Sequence, residues 1–273
     1  MESPIKFITK GDLTYLVFTN WENDAHLEHC FTTKFGGVSE GHLATLNLGF
    51  NRGDKEANVI QNYKNVCEGL GVSLDSIVLS KQVHETNIAK VTEKDKGNGI
   101  ITPNQWKSID GIYTNEKDIT LVTHYADCVP LFFYAPKYGM IGMAHAGWRG
   151  TVAKIGHKMV KIWHEEENIP LEEIQVGIGP SIGACCFEVG SEVAEVFLET
   201  FGQTSYIRKD ERGEKYHIDL WACNKAVLIE SGILEENISI SGICTCCHSQ
   251  IFFSHRKTQG NRGTLGAFMT LKD

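Results

Sequence analysis

Residues 131–150, LFFYAPKYGMIGMAHAGWRG, decide the fold. Two short apolar runs, Leu131–Tyr134 and Met140–Ala144, lie close enough for a hairpin. The second runs into Thr151–Glu167, where Val152, Ile155, Met159, Ile162 and Trp163 recur on a helical period. A hairpin is incompatible with a purely parallel sheet, and the helix that follows it has an apolar face to bury. The expected class is therefore α/β or α+β, one domain spanning residues 1–273 with a mixed central β-sheet flanked by helices.

Outward from this stretch the same grammar repeats. Strands are expected at Ile77–Ser80, Ile119–Thr123, Ile174–Ile178, Ile238–Cys244 and Leu265–Leu271, each a short β-branched run. Asp54 can cap a helix over Lys55–Leu70 that Gly71 stops. Ser191 can cap one through Phe201, and Asp219 can cap Leu220–Glu230. Thr92–Ser108, with its glycines and charges, reads as a surface loop. No repeat, low-complexity tract or Pro/Ser-rich linker divides the chain.

Composition narrows the function. With 273 residues, 42% of them hydrophobic, the chain can bury a large core without a metal or disulfide staple. A formal net charge of −8 argues against general binding to nucleic acid or an anionic membrane, while leaving room for a local pocket that holds a small anion. No window has the length and apolarity of a membrane span, and the N-terminal residues lack a signal-peptide pattern, so a cytoplasmic location is expected. Nine cysteines without an export signal are read as reduced thiols, which makes metal binding or catalysis the reason to inspect each one.

Three residues at expected strand ends form a candidate centre. His84 follows the Ile77–Ser80 run, Cys128 follows Ile119–Tyr125, and His145 closes Met140–Ala144. Two imidazoles and a thiolate are a donor set that catalytic zinc uses, with a fourth position open. The same residues also suit a cysteine hydrolase, with Cys128 as nucleophile, His145 as base and Asp127 or His84 as orienter. Arg149, beside Gly147 and Gly150, and Lys34, beside Gly36 and Gly37, are candidate anion contacts. Two further segments contain cysteines. Cys244-Thr-Cys246-Cys247-His248 carries metal-binding residue types but lacks paired knuckles, and the glycine-rich loop around Cys185 and Cys186 reads as a pocket-shaping loop.

Taken together, these motifs resemble the laccase-domain family, described as polyphenol oxidoreductase-like and as purine nucleoside phosphorylases. The resemblance rests on Thr33–Ser39 with Leu46–Gly49, Gln82-Val-His84, Asp110-Gly111, Ala126–Pro130, His145–Gly150, Gly179–Gly183 with Cys186–Gly190, and Phe252–Ser254 with Arg256. It covers nearly the whole chain in order. This chain departs from many relatives at Lys34, where they have arginine, and at His255, where they often have tyrosine.

The resemblance implies a single mixed α/β domain with metal ligands at His84, Cys128 and His145, holding Zn2+ or, as a second choice, Cu2+. It implies phosphorolysis of adenosine, inosine or methylthioadenosine, with adenosine deamination beside it. Asp127, Cys128 and His145 are then the expected catalytic groups, and Lys34, Asn47, Arg149 and Arg256 the expected substrate and phosphate contacts. The expected partners are a nucleoside and phosphate. The alternatives are a cysteine-type amidase acting on a cell-wall precursor and a copper-dependent polyphenol oxidase. The second is weakened because the chain has no His-x-His pair for several copper centres.

Overall fold

Alternation of side chains along single strands explains the architecture. In strand β8 (Val129–Ala135), Phe132 joins one apolar cluster and its neighbour Phe133 another. In β7 (Thr120–Tyr125), Leu121 and Val122 divide in the same way, and in β15 (Leu265–Leu271) Ala267 and Met269 face one cluster while Phe268 faces another. Strands buried on both faces need cover on both sides. The computed structural model, which describes residues 3–211 and 213–273, supplies that cover with two sheets packed face to face and a helical layer outside each.

The first sheet orders β1 (Ile5–Lys10), β2 (Leu13–Phe18), β3 (Leu27–Thr32), β15, β7 and β4 (Ile77–Leu79). All neighbours are antiparallel except the edge strand β4, which runs parallel to β7 with Leu79 opposite Val122. The second sheet orders β14 (Ile238–Ile240), β10 (Gln175–Ile178), β8, β9 (Met140–Ala146), β6 (Gly111–Thr114) and β5 (Ile88–Lys90). Its centre is antiparallel and its two edge pairs are parallel. The mixed α/β class is thus the one expected, with the strands shared between two sheets. A small third sheet joins β11 (Glu188–Val189), β13 (Tyr216–Ile218) and β12 (Ile207–Lys209).

Between the large sheets lie Phe18, Phe31, Phe132, Ile141, Met143 and Leu265. Helix α1 (Glu56–Leu70) covers the outer face of the first sheet through Val59, Tyr63 and Val66. Helices α3 (Ile155–Glu165), α4 (Ser191–Phe201) and α5 (Leu220–Glu230) contribute to the cluster outside the second. Asp219 caps α5 as expected, its carboxylate accepting the Ala222 amide. No described helix is long and apolar enough to cross a membrane.

Two expected elements differ in detail. Thr151–Glu167 is two helices, α2 (Trp148–Val152) and α3, separated at Lys154, which adopts a left-handed φ of 54°. Apolar spacing runs through the break unchanged, so periodicity could not register it. The hairpin of β8 and β9 pairs Leu131 with Ala144 and Tyr134 with Ile141. By contrast, Ile238–Cys244 is a strand only through Ile240. Gly242 then takes φ 66° and the chain turns away, pairing Cys244 with Ser181 in an isolated bridge beyond the strands.

Lys154 tests this account of the helix break. A β-branched residue is an outlier in the left-handed region, so Lys154→Val should lower stability by about 1–2 kcal/mol, whereas glycine should be tolerated. Denaturant melts of the two variants against the parent measure the difference.

Candidate metal centre and its cavity

Three strand ends converge on one point. β4 leads through Ser80–Gln82 to His84, the turn after β7 delivers Cys128, and β9 carries His145 near its end. Their donor atoms all lie within 4.8 Å of one another. Cys128 Sγ is 3.8 Å from His84 Nε2, and the two imidazole rings sit nearly edge to face with centroids 4.9 Å apart. His84 is exposed, Cys128 half-buried and His145 buried, so the set is open on one side.

Asp110, one residue before β6, organises two of the three. It is fully buried, and its Oδ1 accepts from His145 Nδ1 at 2.8 Å and from the His84 amide at 3.0 Å. Its Oδ2 accepts from the amides of Val83 and Glu85. Three successive amides on one carboxylate hold His84 at its left-handed φ of 68°. With Nδ1 held by the carboxylate, His145 is left with Nε2 for a metal. Burial works to raise the Asp110 carboxyl, yet the His145 hydrogen bond and the backbone amides outweigh it and hold the group below the ordinary carboxylate range.

Gln82 braces the same turn. Its amide group donates to His124 O at 2.8 Å and accepts from His124 N at 2.7 Å, prolonging the β4–β7 pairing through a side chain. Gly147 completes the fit. A Cβ there would stand 3.0 Å from His84 Cδ2, 3.2 Å from Cys128 Sγ and 3.6 Å from His145 Cε1, inside the cradle that the donors form. Only a residue without a side chain leaves that space free.

The donors act on one another electrostatically. Burial resists charging Cys128, but the His145 charge and hydrogen bond, with help from His84, pull its thiol down to about 6. Burial likewise opposes an imidazolium at His145, yet Cys128 and Asp110 push it up to about 9. Without metal the two form a thiolate–imidazolium pair.

A cavity of about 630 Å³ opens from the centre, lined by His84, Cys128 and His145 and also by Arg52, His124 and Arg262. Arg262 is 9% exposed, its Nη1 donates to Gly263 O and Thr264 Oγ1, and its Nε has no partner among the described residues. Burial, then the neighbouring charge of Arg52, lowers the Arg262 guanidinium to about 10, so it stays cationic near neutral pH. Among the described residues, Arg52 donates only to Thr264 Oγ1, at 3.4 Å. Burial, followed by the two arginines, lowers His124 to about 4 and keeps it neutral, hydrogen-bonded to the Tyr63 hydroxyl. Neither guanidinium has a carboxylate partner among the described residues, so the two make a candidate anion site.

The other expected site residues lie outside this lining. Asp127 accepts from Thr245 Oγ1, Ser254 Oγ and the Arg256 amide, tying the C-terminal segment to the start of β8. Lys34 donates to Ser249 O. Asn47 is buried and accepts the Thr264 amide, so it bears on the segment that carries Arg262. Arg149 is exposed and stacks over Trp148 at 4.2 Å, while Arg256 donates to the carbonyls of Cys186 and Glu188. Sequence reading missed Arg52 and Arg262 although each stands between glycines, Gly49 and Gly53 for the first and Gly260 and Gly263 for the second, and it quoted Asp110 without a role. The Thr92–Ser108 loop also gains a role, since Asn104 donates to Leu79 O and Ser80 O and lines the cavity.

A three-donor set open to a cavity is the arrangement of catalytic rather than closed structural metal centres. The chain belongs to the family of multi-copper polyphenol oxidoreductase laccases, which matches residues 28–272. It is 38% identical over 263 residues to the purine nucleoside phosphorylase YlmD of Bacillus subtilis strain 168, with 94% of this chain and 95% of the relative covered. It is 34% identical over 258 residues to a purine nucleoside phosphorylase of Bacteroides thetaiotaomicron, with 92% and 93% covered. The crystal structure of YlmD from Geobacillus stearothermophilus superposes with a TM-score of 0.89 at 36% identity, covering 98% of this chain and 99% of that one. A Bacillus licheniformis protein titled YfiH gives 0.90 at 34% identity, with 97% and 99% covered.

Two outcomes follow for the centre. Gly147→Ala should weaken metal binding about 10–100-fold, the scale of disturbing groups that orient ligands, while the protein stays folded. Competition against a chelator measures it, and unchanged affinity would remove Gly147 from the account. Between about 6 and about 9 the thiol is already ionised and the imidazole still protonated. The Cys128–His145 pair should therefore release about one proton per metal bound near neutral pH, and affinity should climb with pH until His145 is neutral. Calorimetry in buffers of different ionisation enthalpy counts the protons.

Proposed function

We propose that this protein is a zinc-dependent purine nucleoside phosphorylase that converts inosine, adenosine or methylthioadenosine and phosphate to the free base and ribose 1-phosphate. One observation carries the reading: a single cavity is lined by His84, Cys128 and His145 and also by the guanidiniums of Arg52 and Arg262, the second with its Nε free of a partner among the described residues. The relatives named as purine nucleoside phosphorylases support it over nearly the full chain. The donor set suits zinc, with copper the second choice, since thiolate and imidazole also favour copper.

Phosphorolysis requires phosphate beside the ribose C1′ while the purine leaves with the bonding electron pair. Arg52 and Arg262 hold the phosphate and take up its charge without a competing carboxylate. His124, held neutral, lines the same cavity without adding charge to the two guanidiniums. Zinc held by His84, Cys128 and His145 would supply Lewis-acid stabilisation to the substrate. His145 is kept in one tautomer by Asp110, and Cys128 remains a thiolate. Asn47 and Asp127 act as positioning residues, the first through Thr264 and the second through the segment that includes Ser254. Adenosine deamination would use the same centre with water in place of phosphate as the reacting group.

A second reading has its own observation. Cys128, His145 and Asp110 form a thiolate, an imidazole and an orienting carboxylate in series, the arrangement of a cysteine-type amidase. His84 and the empty space at Gly147 favour a metal over this alternative, because a nucleophile needs neither a third donor nor that cradle.

Purified protein of defined zinc content, incubated with inosine or adenosine with and without phosphate, should form ribose 1-phosphate only with phosphate. Chelation should abolish this activity and zinc should restore it. Arg52→Ala and Arg262→Ala should each raise the KM for phosphate about tenfold or more, the scale of losing a hydrogen bond to a charged group, with zinc content unchanged. Metal-independent activity that a thiol alkylator blocks, with no nucleoside turnover, would transfer the assignment to the amidase.

A further inference from the structure

Outside the cavity lining, the fold brings together four cysteines that the sequence keeps about 60 residues apart in two pairs. Cys185 and Cys186 lie in the turn before β11, and Cys244 and Cys247 in the loop before the short helix α6 (His255–Thr258). All four sulfurs lie within 4.8 Å of one another. Cys247 Sγ is 3.4 Å from the sulfurs of both Cys185 and Cys186. None of the four lines the cavity, so the expected pocket-shaping role of the Cys185–Cys186 loop is not what its position provides.

We infer that Cys185, Cys186, Cys244 and Cys247 form a second metal site, a tetrathiolate centre for zinc. Four thiolates at about 2.3 Å from a tetrahedral ion stand roughly 3.8 Å apart, which is the scale of the separations here. A disulfide fits less well, because its sulfurs stand about 2.05 Å apart and Cys247 faces two equally near partners.

The surroundings are those a tetrathiolate needs. Zinc with four thiolates carries a net negative charge, and backbone amides and cations must offset it. The Gly183 amide donates to Cys244 Sγ at 3.2 Å and the Cys247 amide donates to it at 3.5 Å. The Arg256 guanidinium is held on the Cys186 carbonyl at 2.8 Å. Adjacent cysteines normally diverge. Here Cys186 and Phe187 both donate to Gly183 O, and the tight turn lets both thiols face Cys247. A Cβ at Gly183 would come 3.3 Å from Cys244 Cβ and 3.4 Å from Cys185 Sγ, so the two loops meet at this glycine.

Such a centre would clamp two loops that otherwise meet through the Ser181–Cys244 bridge and a bond from the Thr245 amide to Ser181 O. Thr245 also donates to Asp127, the residue before Cys128. The second site therefore fastens the support of the first without entering its cavity.

The test uses the full chain in a Cys128→Ala background, which removes the thiolate of the first centre and makes the result independent of the proposed activity. Purified without chelator, this variant should retain about one zinc per chain. Its cobalt form should show the intense tetrahedral ligand-field and sulfur-to-cobalt charge-transfer bands of a tetrathiolate. Adding Cys247→Ser or Cys185→Ser should remove both the metal and the spectrum. Cys185 is exposed, so its substitution keeps the test valid if Cys247→Ser fails to fold. The inference is overturned if neither substitution changes the metal content or cobalt spectrum, or if intact-mass analysis finds a disulfide among the four in place of metal.

Discussion

The Asp110 carboxylate is the contact on which the centre depends. Burying a charge costs several kcal/mol unless every lone pair finds a partner, and here His145 and three consecutive amides supply them. In return, one group fixes the tautomer of His145 and the turn that presents His84. These ligands come from different strands, so neither could be set by its own local sequence. The carboxylate converts two separate strand ends into one rigid donor pair.

Around that contact the two sheets and the loops do different work. The sheets hold the donors, because their ladders and the clusters on both faces leave little freedom at strand ends. Loops carry the charge that meets an anion, with Arg52 in the turn before α1 and Arg262 before β15. Arg262 remains cationic because burial is not severe enough to strip its proton, and its Nε has no partner among the described residues. One cavity thus brings three possible metal donors and two guanidiniums together.

Several of these features were legible beforehand for definite reasons. His84, Cys128 and His145 each follow a short β-branched run, and strand ends are where side chains leave the ladder and become available. The helix at Leu220–Glu230 was readable because its cap is local, the Asp219 side chain acting three residues on. The β8–β9 hairpin was readable because its partners are near in sequence. In contrast, the strands at Ile5–Lys10, Leu13–Phe18 and Leu27–Thr32 were not marked. β1 is an edge strand with one well-buried residue, so its composition shows little apolar patterning. The anion contacts were drawn to glycine-rich turns at Lys34 and Arg149, whose side chains are bound to Ser249 O and stacked on Trp148 instead.

By itself, the sequence determined the mixed α/β class, most of the helices and the family, and it marked the three candidate donors, since each rests on short-range periodicity, caps, strand ends or contiguous motifs. Tertiary structure alone decided that the strands divide into two facing sheets, that Asp110 is the common partner of His84 and His145, and that Arg52 and Arg262 share the cavity. It also decided that Cys185 and Cys186 meet Cys244 and Cys247. These contacts join residues tens to hundreds of positions apart, and no local pattern records which distant partner a side chain meets. That choice is made when apolar faces are buried against one another and every buried polar group must find a partner at the same time.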